Sequence, residues 1–241
     1  MSYFESRLRL NLSNFEEVDQ KLNLCRDLGI INLILEFENG ENEITPELKK
    51  KFNQFSTFKI YYRITIKPKN LDDLKRRLKQ IKNISDIISV ESPDRKVQIQ
   101  AAKDSRVDLI SFSDEDILKT ITPGVISLTK QNDSFIEFSL EPIMVKNKAI
   151  QSRFLRSLYR ALKLAQKLNA NYIISGNFNN IYMLRHPRAL VSISHTLLDV
   201  PLLNAKKAFS ENVIALINRA KTRQDKNFIE PGVSMIKGGE I

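Results

Sequence analysis

The chain has 241 residues, 42% of them apolar and 27% charged, which is enough to fold around a real core. A single cysteine, Cys25, excludes an internal disulfide and a multi-cysteine zinc site, and 7 glycines leave no place for the dinucleotide or P-loop fingerprints. The net charge of +10 is uneven: residues 1–120 carry 21 Lys and Arg against 20 Asp and Glu, whereas residues 121–241 carry 17 against 8.

In chain order, strands alternate with helices. Arg7 to Leu12 alternates like a strand, and Ser13 or Asn14 then caps a helix carrying Phe15, Val18, Leu22 and Leu24 that ends near Gly29. Ile30 to Phe37 is an apolar, β-branched run suited to a buried parallel strand. Pro46 opens a helix of about ten residues. Phe58 to Ile66 is the next strand, and Asn70 with Asp73 starts a helix on Leu71, Leu74, Leu78 and Ile81. Its Lys75, Arg76, Arg77, Lys79 and Lys82 read as a solvated face, partly offset by Asp72 and Asp73.

A weaker strand from Asp86 to Glu91 leads into a helix from Asp94 to Lys103, followed by a clear strand from Val107 to Phe112. A short helix, a second helix from Pro123 to about Lys130, and a strand from Ser134 to Leu140 come next. Beyond the helix from Lys148 to Leu168 lie a strand from Asn171 to Ser175 and helices over Arg188–Leu198 and Leu203–Thr222. From Phe228 the chain has no clear period and is expected to be a loosely structured tail. About seven strands in this alternation predict a parallel sheet covered by helices. The expected fold is α/β, a distorted TIM-barrel-like domain spanning residues 1–241.

Between Lys148 and Lys226 there are 14 basic and 3 acidic residues, a footprint that points to a polyanion, above all RNA. Within it, Arg153, Arg156, Arg160, Lys163 and Lys167 recur at spacings of three and four, inside an arc of roughly 80° at about 100° per residue. Phe154, Leu155, Leu158, Ala161, Leu162, Ala165 and Leu168 take the other side, and no carboxylate lies on the helix beside the cations. The helix is therefore one-sidedly apolar and one-sidedly cationic.

In a barrel, chemistry belongs at the C-terminal ends of the strands, where this sequence offers Glu36, Glu38, Glu91, Asp114, Glu115, Glu141, Ser175 and Asn177. Carboxylates suit magnesium, but these come from separate loops without a shared motif. His186 and His195 stand nine residues apart, about half a turn out of phase on one helix, and so form no ligand pair. His186 reads as part of the basic patch, and Cys25 as core. The residues up to Arg7 lack the layout of a signal peptide, and runs such as Leu33-Ile34-Leu35 are too short to span a bilayer. A cytoplasmic location is expected.

Three stretches together resemble the TIM-barrel protein subunit of archaeal ribonuclease P, protein component 3. The first runs from Asp94-Arg95-Lys96 to Ser105-Arg106-Val107-Asp108-Leu109-Ile110. The second is the basic helix leading to Asn171-Tyr172-Ile173-Ile174-Ser175-Gly176, similar to a family Ile-Ile-Ser-Ser-Gly strand end. The third, Leu184-Arg185-His186-Pro187-Arg188-Ala189-Leu190, is similar to Leu-Arg-Ser-Pro-Arg-Asp-Leu. The departures are the missing second serine, His186 in place of serine, and Ala189 in place of an acidic residue.

The resemblance implies a subunit of the ribonucleoprotein that removes the 5′ leader from precursor tRNA. Catalysis there is carried by the RNA, with Mg²⁺ at the RNA rather than a cofactor on this chain. The implied partners are the ribonuclease P RNA, a second, smaller protein subunit and, indirectly, precursor tRNA. Expected RNA contacts are Arg153, Arg156, Arg160, Lys163 and Lys167, then Arg185 and Arg188 near a helix start, then Arg95 and Arg106. With no Trp, recognition of backbone and shape is expected over base stacking. Two other readings suit the residues: an autonomous Mg²⁺-dependent barrel phosphoesterase acting on nucleic acid, and a scaffold whose basic face meets an acidic protein.

Overall fold

The computed structural model describes residues 2–37, 45–55, 57–81 and 87–223, together with the backbone of 228–230 and 233–234. Strand β1 (Phe4–Leu10) leads to helix α1 (Phe15–Asp27), β2 (Asn32–Phe37) to α2 (Pro46–Asn53), β3 (Lys59–Ile66) to α3 (Leu71–Gln80), and β4 (Ile87–Val90) to α4 (Arg95–Lys103). Strand β5 (Leu109–Phe112) is followed by α5 (Glu115–Leu118) and α6 (Pro123–Gln131), and β6 (Phe135–Ser139) by α7 (Lys148–Lys167). After β7 (Tyr172–Ser175) come α8 (Pro187–Thr196), α9 (Leu202–Ala208) and α10 (Glu211–Thr222).

The helices start where short polar side chains can take their free amides. Asn14, Thr45, Asn70, Asp94, Asp114, Thr122 and Asn147 each accept from an amide two or three residues on. Gly29, at φ +71°, makes the left-handed turn behind α1 that carries the chain into β2.

The seven strands pair in sequence order, all parallel, in a nearly closed barrel. Among the described residues no ladder joins β7 back to β1. Side chains and a helix end bridge that seam: Ser6 Oγ donates to the Ile174 carbonyl at 3.4 Å, and Asn212 Nδ2 to the Tyr172 carbonyl at 2.7 Å.

Alternation along the strands sorts side chains into an outer and an inner set. Leu8, Leu35, Ile64, Ile88, Ile110 and Phe138 point outward and pack against helix residues such as Leu22, Leu74, Val97 and Leu158. A second apolar cluster joins residues from the lower part of the strands (Phe4, Ile34, Ile87, Leu109, Phe135, Ile173) to Val213, Leu216, Ile217 and Ala220 of α10. Helix α10 thus stoppers the N-terminal end of the barrel. Above it the interior is charged, unlike the branched apolar layers that usually fill such barrels.

One boundary differs from expectation. The helix predicted over Leu203–Thr222 is broken between α9 and α10. Phe209 is buried at that break, and its carbonyl takes the Phe4 amide at 3.0 Å, so the chain turns to seat α10 under the barrel. In the tail, Phe228–Glu230 pairs antiparallel with Val233–Ser234.

Candidate RNA interface and the charged barrel interior

The barrel interior holds Arg7 and Arg63, each 1% exposed, among Glu36, Glu91 and Glu137. Arg7 makes a fork with Glu36, both bonds 2.9 Å, and its Nη2 reaches Glu91 at 2.9 Å while Nη1 donates to Ser111 at 3.0 Å. Arg63 forks onto Glu137 at 2.7 and 2.6 Å and donates to Thr65 and Ser89, each at 3.0 Å. Thr65 and Ser111 hydroxyls complete Glu36 and Glu137, at 2.6 and 2.7 Å. At the rim Lys67 meets the other Glu91 oxygen at 2.9 Å. Three cations therefore face three carboxylates, with forked geometry that matches guanidinium to carboxylate.

Burial alone would raise these carboxyls, but the arginines more than offset it. Arg7 and Arg63 hold Glu36 at about 2, and Arg63 with Arg7 hold Glu137 at about 2. Glu91 is likewise lowered, by Arg7 and Lys67 against its burial.

Glu5 is a fourth buried carboxyl without a cation of its own. Its Oε1 accepts the Arg7 amide at 3.2 Å, yet desolvation pushes it up to about 7. The folded chain then holds a proton that the unfolded chain releases near 4.5. Stability from this group is full below 4.5, falls as pH rises from 4.5 to 7, and is flat above; the span is about 3 kcal/mol. Denaturant titrations across pH 4.5–8 should show this slope, and Glu5→Gln should remove it.

The strand-end carboxylates of the sequence reading are thus placed as follows. Glu36 and Glu91 are bound within the arginine network. Asp114 caps α5, Glu115 pairs with Lys119 at 3.0 Å, and Glu141 accepts from Asn177 at 3.3 Å. Glu38 lies outside the described residues. Among the described residues, no three His, Cys, Asp or Glu side chains are grouped to hold a metal ion. Cys25 is buried, and burial raises its thiol far above the ordinary range.

Sequence reading missed Arg7, Arg63 and Glu137. The signal was present as polar residues at alternate positions of strands that, in a helix-covered parallel sheet, should be apolar on both faces.

On α7 the predicted division holds in three dimensions. Phe154, Leu158, Ala161, Leu162 and Ala165 are buried, while Arg153, Arg156, Arg160 and Lys167 are exposed and Lys163 half-buried. The helix carries no carboxylate, but its neighbours supply two. Glu115 of α5 lies 3.8 Å from Arg153, and Asp199, after α8, meets Lys163 at 2.6 Å. Arg156, Arg160 and Lys167 have no carboxylate partner among the described residues, so the free part of the face is narrower than the sequence suggested.

The outlying basic residues fall into different settings. Arg95 is exposed in the first turn of α4. Arg106 is half-buried, forked onto Asp104 at 2.8 and 2.7 Å and bonded to the Leu78 carbonyl, and so is engaged by the fold. Arg76 and Arg77 both reach Asp73. Arg185 is exposed and donates to the Tyr182 and Leu184 carbonyls, holding the turn before α8. Arg188 is exposed, and its amide donates to His186 Nδ1 at 2.9 Å. That bond makes His186 the cap of α8, and burial together with Arg188 lowers its pKa, so it is a neutral acceptor rather than part of the basic patch.

Residues 7–225 match the protein family described as RNase P subunit p30. The chain belongs to the RNase P subunit p30 family. It is 24% identical over 201 residues to ribonuclease P protein component 3 of Methanococcus maripaludis strain S2, covering 83% of this chain and 84% of that one. With the protein of the same name from Methanocaldococcus jannaschii it shares 22% over 232 residues, 95% and 98% of the two chains. A chain in the cryo-EM structure of archaeal ribonuclease P with mature tRNA has the same fold, with TM-score 0.80 and 21% identity, covering 99% of this chain and all of that one.

The stretches that resemble the family subunit have distinct structural roles here. In Arg106-Val107-Asp108, the buried Asp108 takes the Ile88 amide at 2.9 Å, Arg219 at 2.5 Å and Arg223 at 2.8 Å, fastening α10 beneath the barrel. Gly176 follows β7 where a Cβ would come within 2.7 Å of Phe178 and 2.9 Å of Glu5, so only glycine fits. The Leu-Arg-His-Pro-Arg turn builds the start of α8.

Proposed function

We propose that this chain serves ribonuclease P as a non-catalytic subunit that binds and stabilises its RNA through a basic surface, in the cytoplasm and alongside a smaller protein subunit. The observation that carries the reading is the set Arg156, Arg160 and Lys167 on one exposed face of α7, without carboxylate partners among the described residues. RNA folding crowds phosphates together, and a preformed row of cations lowers that repulsion and releases counterions. Exposed Arg95, Arg185 and Arg188 extend the set, with Arg153 and Lys163 contributing where their acidic partners can be exchanged for phosphate.

A catalytic role is disfavoured because the strand-end carboxylates Glu36 and Glu91 are neutralised by Arg7. Mg²⁺ is assigned to the RNA of the holoenzyme. Among the described residues no helix is long and apolar enough to cross a membrane.

Reversing Arg156 and Arg160 together to glutamate should weaken RNA-dependent assembly and reduce the slope of log affinity against log salt by about 2, at roughly 0.9 per phosphate contact. Unchanged binding and slope would remove this helix from the interface. Reconstitution separates the reading from an autonomous nuclease: the purified chain with Mg²⁺ should leave the leader of precursor tRNA intact, and cleavage should rise when it joins its RNA and partner subunits. Robust cleavage by the chain alone would overturn it.

A further inference from the structure

We propose that the open C-terminal mouth of the barrel binds a phosphate oxyanion that carries a hydroxyl. The mouth is a cavity of about 230 Å³ lined by the cations Arg7, Arg9 and Lys67, the carboxylates Glu91, Asp114 and Glu141, and Ser113 and Asn177; Glu91 is held by Arg7 and Lys67, and Asp114 caps α5. This is below the roughly 300–1,000 Å³ of pockets for drug-sized ligands, so it suits one small group rather than a base-paired helix.

Arg9 is the main observation. Its side chain is only 19% exposed, yet its guanidinium makes no hydrogen bond among the described residues, and its Nε is fully buried without an acceptor. The nearest carboxylate oxygen, Glu141 Oε2, stands 3.8 Å away, beyond hydrogen-bonding distance. Beneath the mouth Arg7 has spent its donors on the interior network, and Lys21 Nζ is held by the Arg9 carbonyl at 2.9 Å and by Glu17 at 2.8 Å. Buried guanidinium donors without acceptors are uncommon and costly, and an oxyanion meets their fork geometry.

Asn177 supplies the second, independent observation. It is 2% exposed and lines the same cavity; its Nδ2 donates to Ser139 and Glu141, while its Oδ1 has no donor. The site therefore offers unspent donors and one unspent acceptor. A phosphate with one O–H answers both: its anionic oxygens accept from Arg9 and Lys67, and its hydroxyl donates to Asn177. Sulfate, which has no hydroxyl at neutral pH, satisfies only the first. Free hydrogen phosphate carries that hydroxyl at neutral pH, and the terminal phosphate of an RNA strand carries it in its monoanion, below a second pKa of about 6.

Titration calorimetry on the full chain, with ionic strength held constant by chloride, tests the site. Saturable phosphate binding is expected, at least tenfold tighter than sulfate. Arg9→Gln should weaken it tenfold or more and Lys67→Gln, at an exposed position, several-fold, while Lys75→Gln on α3 leaves it unchanged. If circular dichroism shows Arg9→Gln unfolded, the Lys67→Gln loss and the phosphate-over-sulfate preference decide the matter. Competition by a short 5′-phosphorylated oligonucleotide, absent for its 5′-hydroxyl counterpart, would identify a strand end as the ligand; phosphate binding without such competition would identify a free phosphate. No saturable phosphate binding, or equal binding by a folded Arg9→Gln, overturns the site, and does so independently of the RNA face on α7.

Discussion

Arg7→Met is expected to destabilise the fold by about 3–5 kcal/mol, a large share of the 5–15 kcal/mol that holds a typical domain together. The side chain is 1% exposed and holds Glu36 and Glu91 by hydrogen bonds, with Glu137 at 3.5 Å. Methionine fills similar space but leaves three carboxylates sharing Arg63 and Lys67. The loss comes from stranded negative charge rather than from a cavity. Two further readouts distinguish these causes. A double cycle with Glu36→Gln should show strong coupling, because the second change removes a charge that the first left unpaired. The wild-type chain should also lose stability as pH falls from about 4.5 toward 2, where Glu36 and Glu137 take up protons; in Arg7→Met that acid limb should be shallower. Urea denaturation measures all three.

Asp108→Ala should cost about 2–4 kcal/mol and act locally on α10. Asp108 is fully buried and joins strands to helix: it takes the Ile88 amide of β4 and both Arg219 and Arg223 of the C-terminal region. Arg219 also donates to the Asp133 and Asn132 carbonyls just before β6, so the clamp spans three strand starts. Without the carboxylate, two guanidiniums face each other across a half-buried gap, and the apolar face of α10 is held by packing alone. Amide exchange should quicken over residues 211–222 relative to α3, which the substitution does not touch. Uniform exchange rates would show that α10 is secured without the clamp.

These two residues show where sequence reading stops. The strands and helices were legible because each has a local cause: Asn14 and Asn70 as caps, Pro46 and Pro123 in first turns, and apolar runs such as Leu33–Phe37. The one-sided cationic helix was legible for the same reason, since helical periodicity lies within the segment itself. The Arg-Val-Asp stretch was legible as a family feature, but the role of Asp108 was not, because its partners Arg219 and Arg223 lie more than 100 positions away.

What the amino-acid sequence determined by itself was the order of the elements, the parallel βα architecture, the basic C-terminal half and the apolar face of α7. Tertiary structure alone decided which charges are free. Closing seven strands into a barrel turned one face of each strand inward, so polar residues within the strands became a buried network of Arg7, Glu36, Arg63 and Glu137. The same closure brought Glu115 and Asp199 to α7, leaving Arg156, Arg160 and Lys167 as its uncommitted cations. It also left Arg9 at the barrel mouth, largely buried and without a hydrogen-bond acceptor among the described residues. Ion pairing depends on distances between residues as much as 130 positions apart, and local periodicity carries no information about those distances.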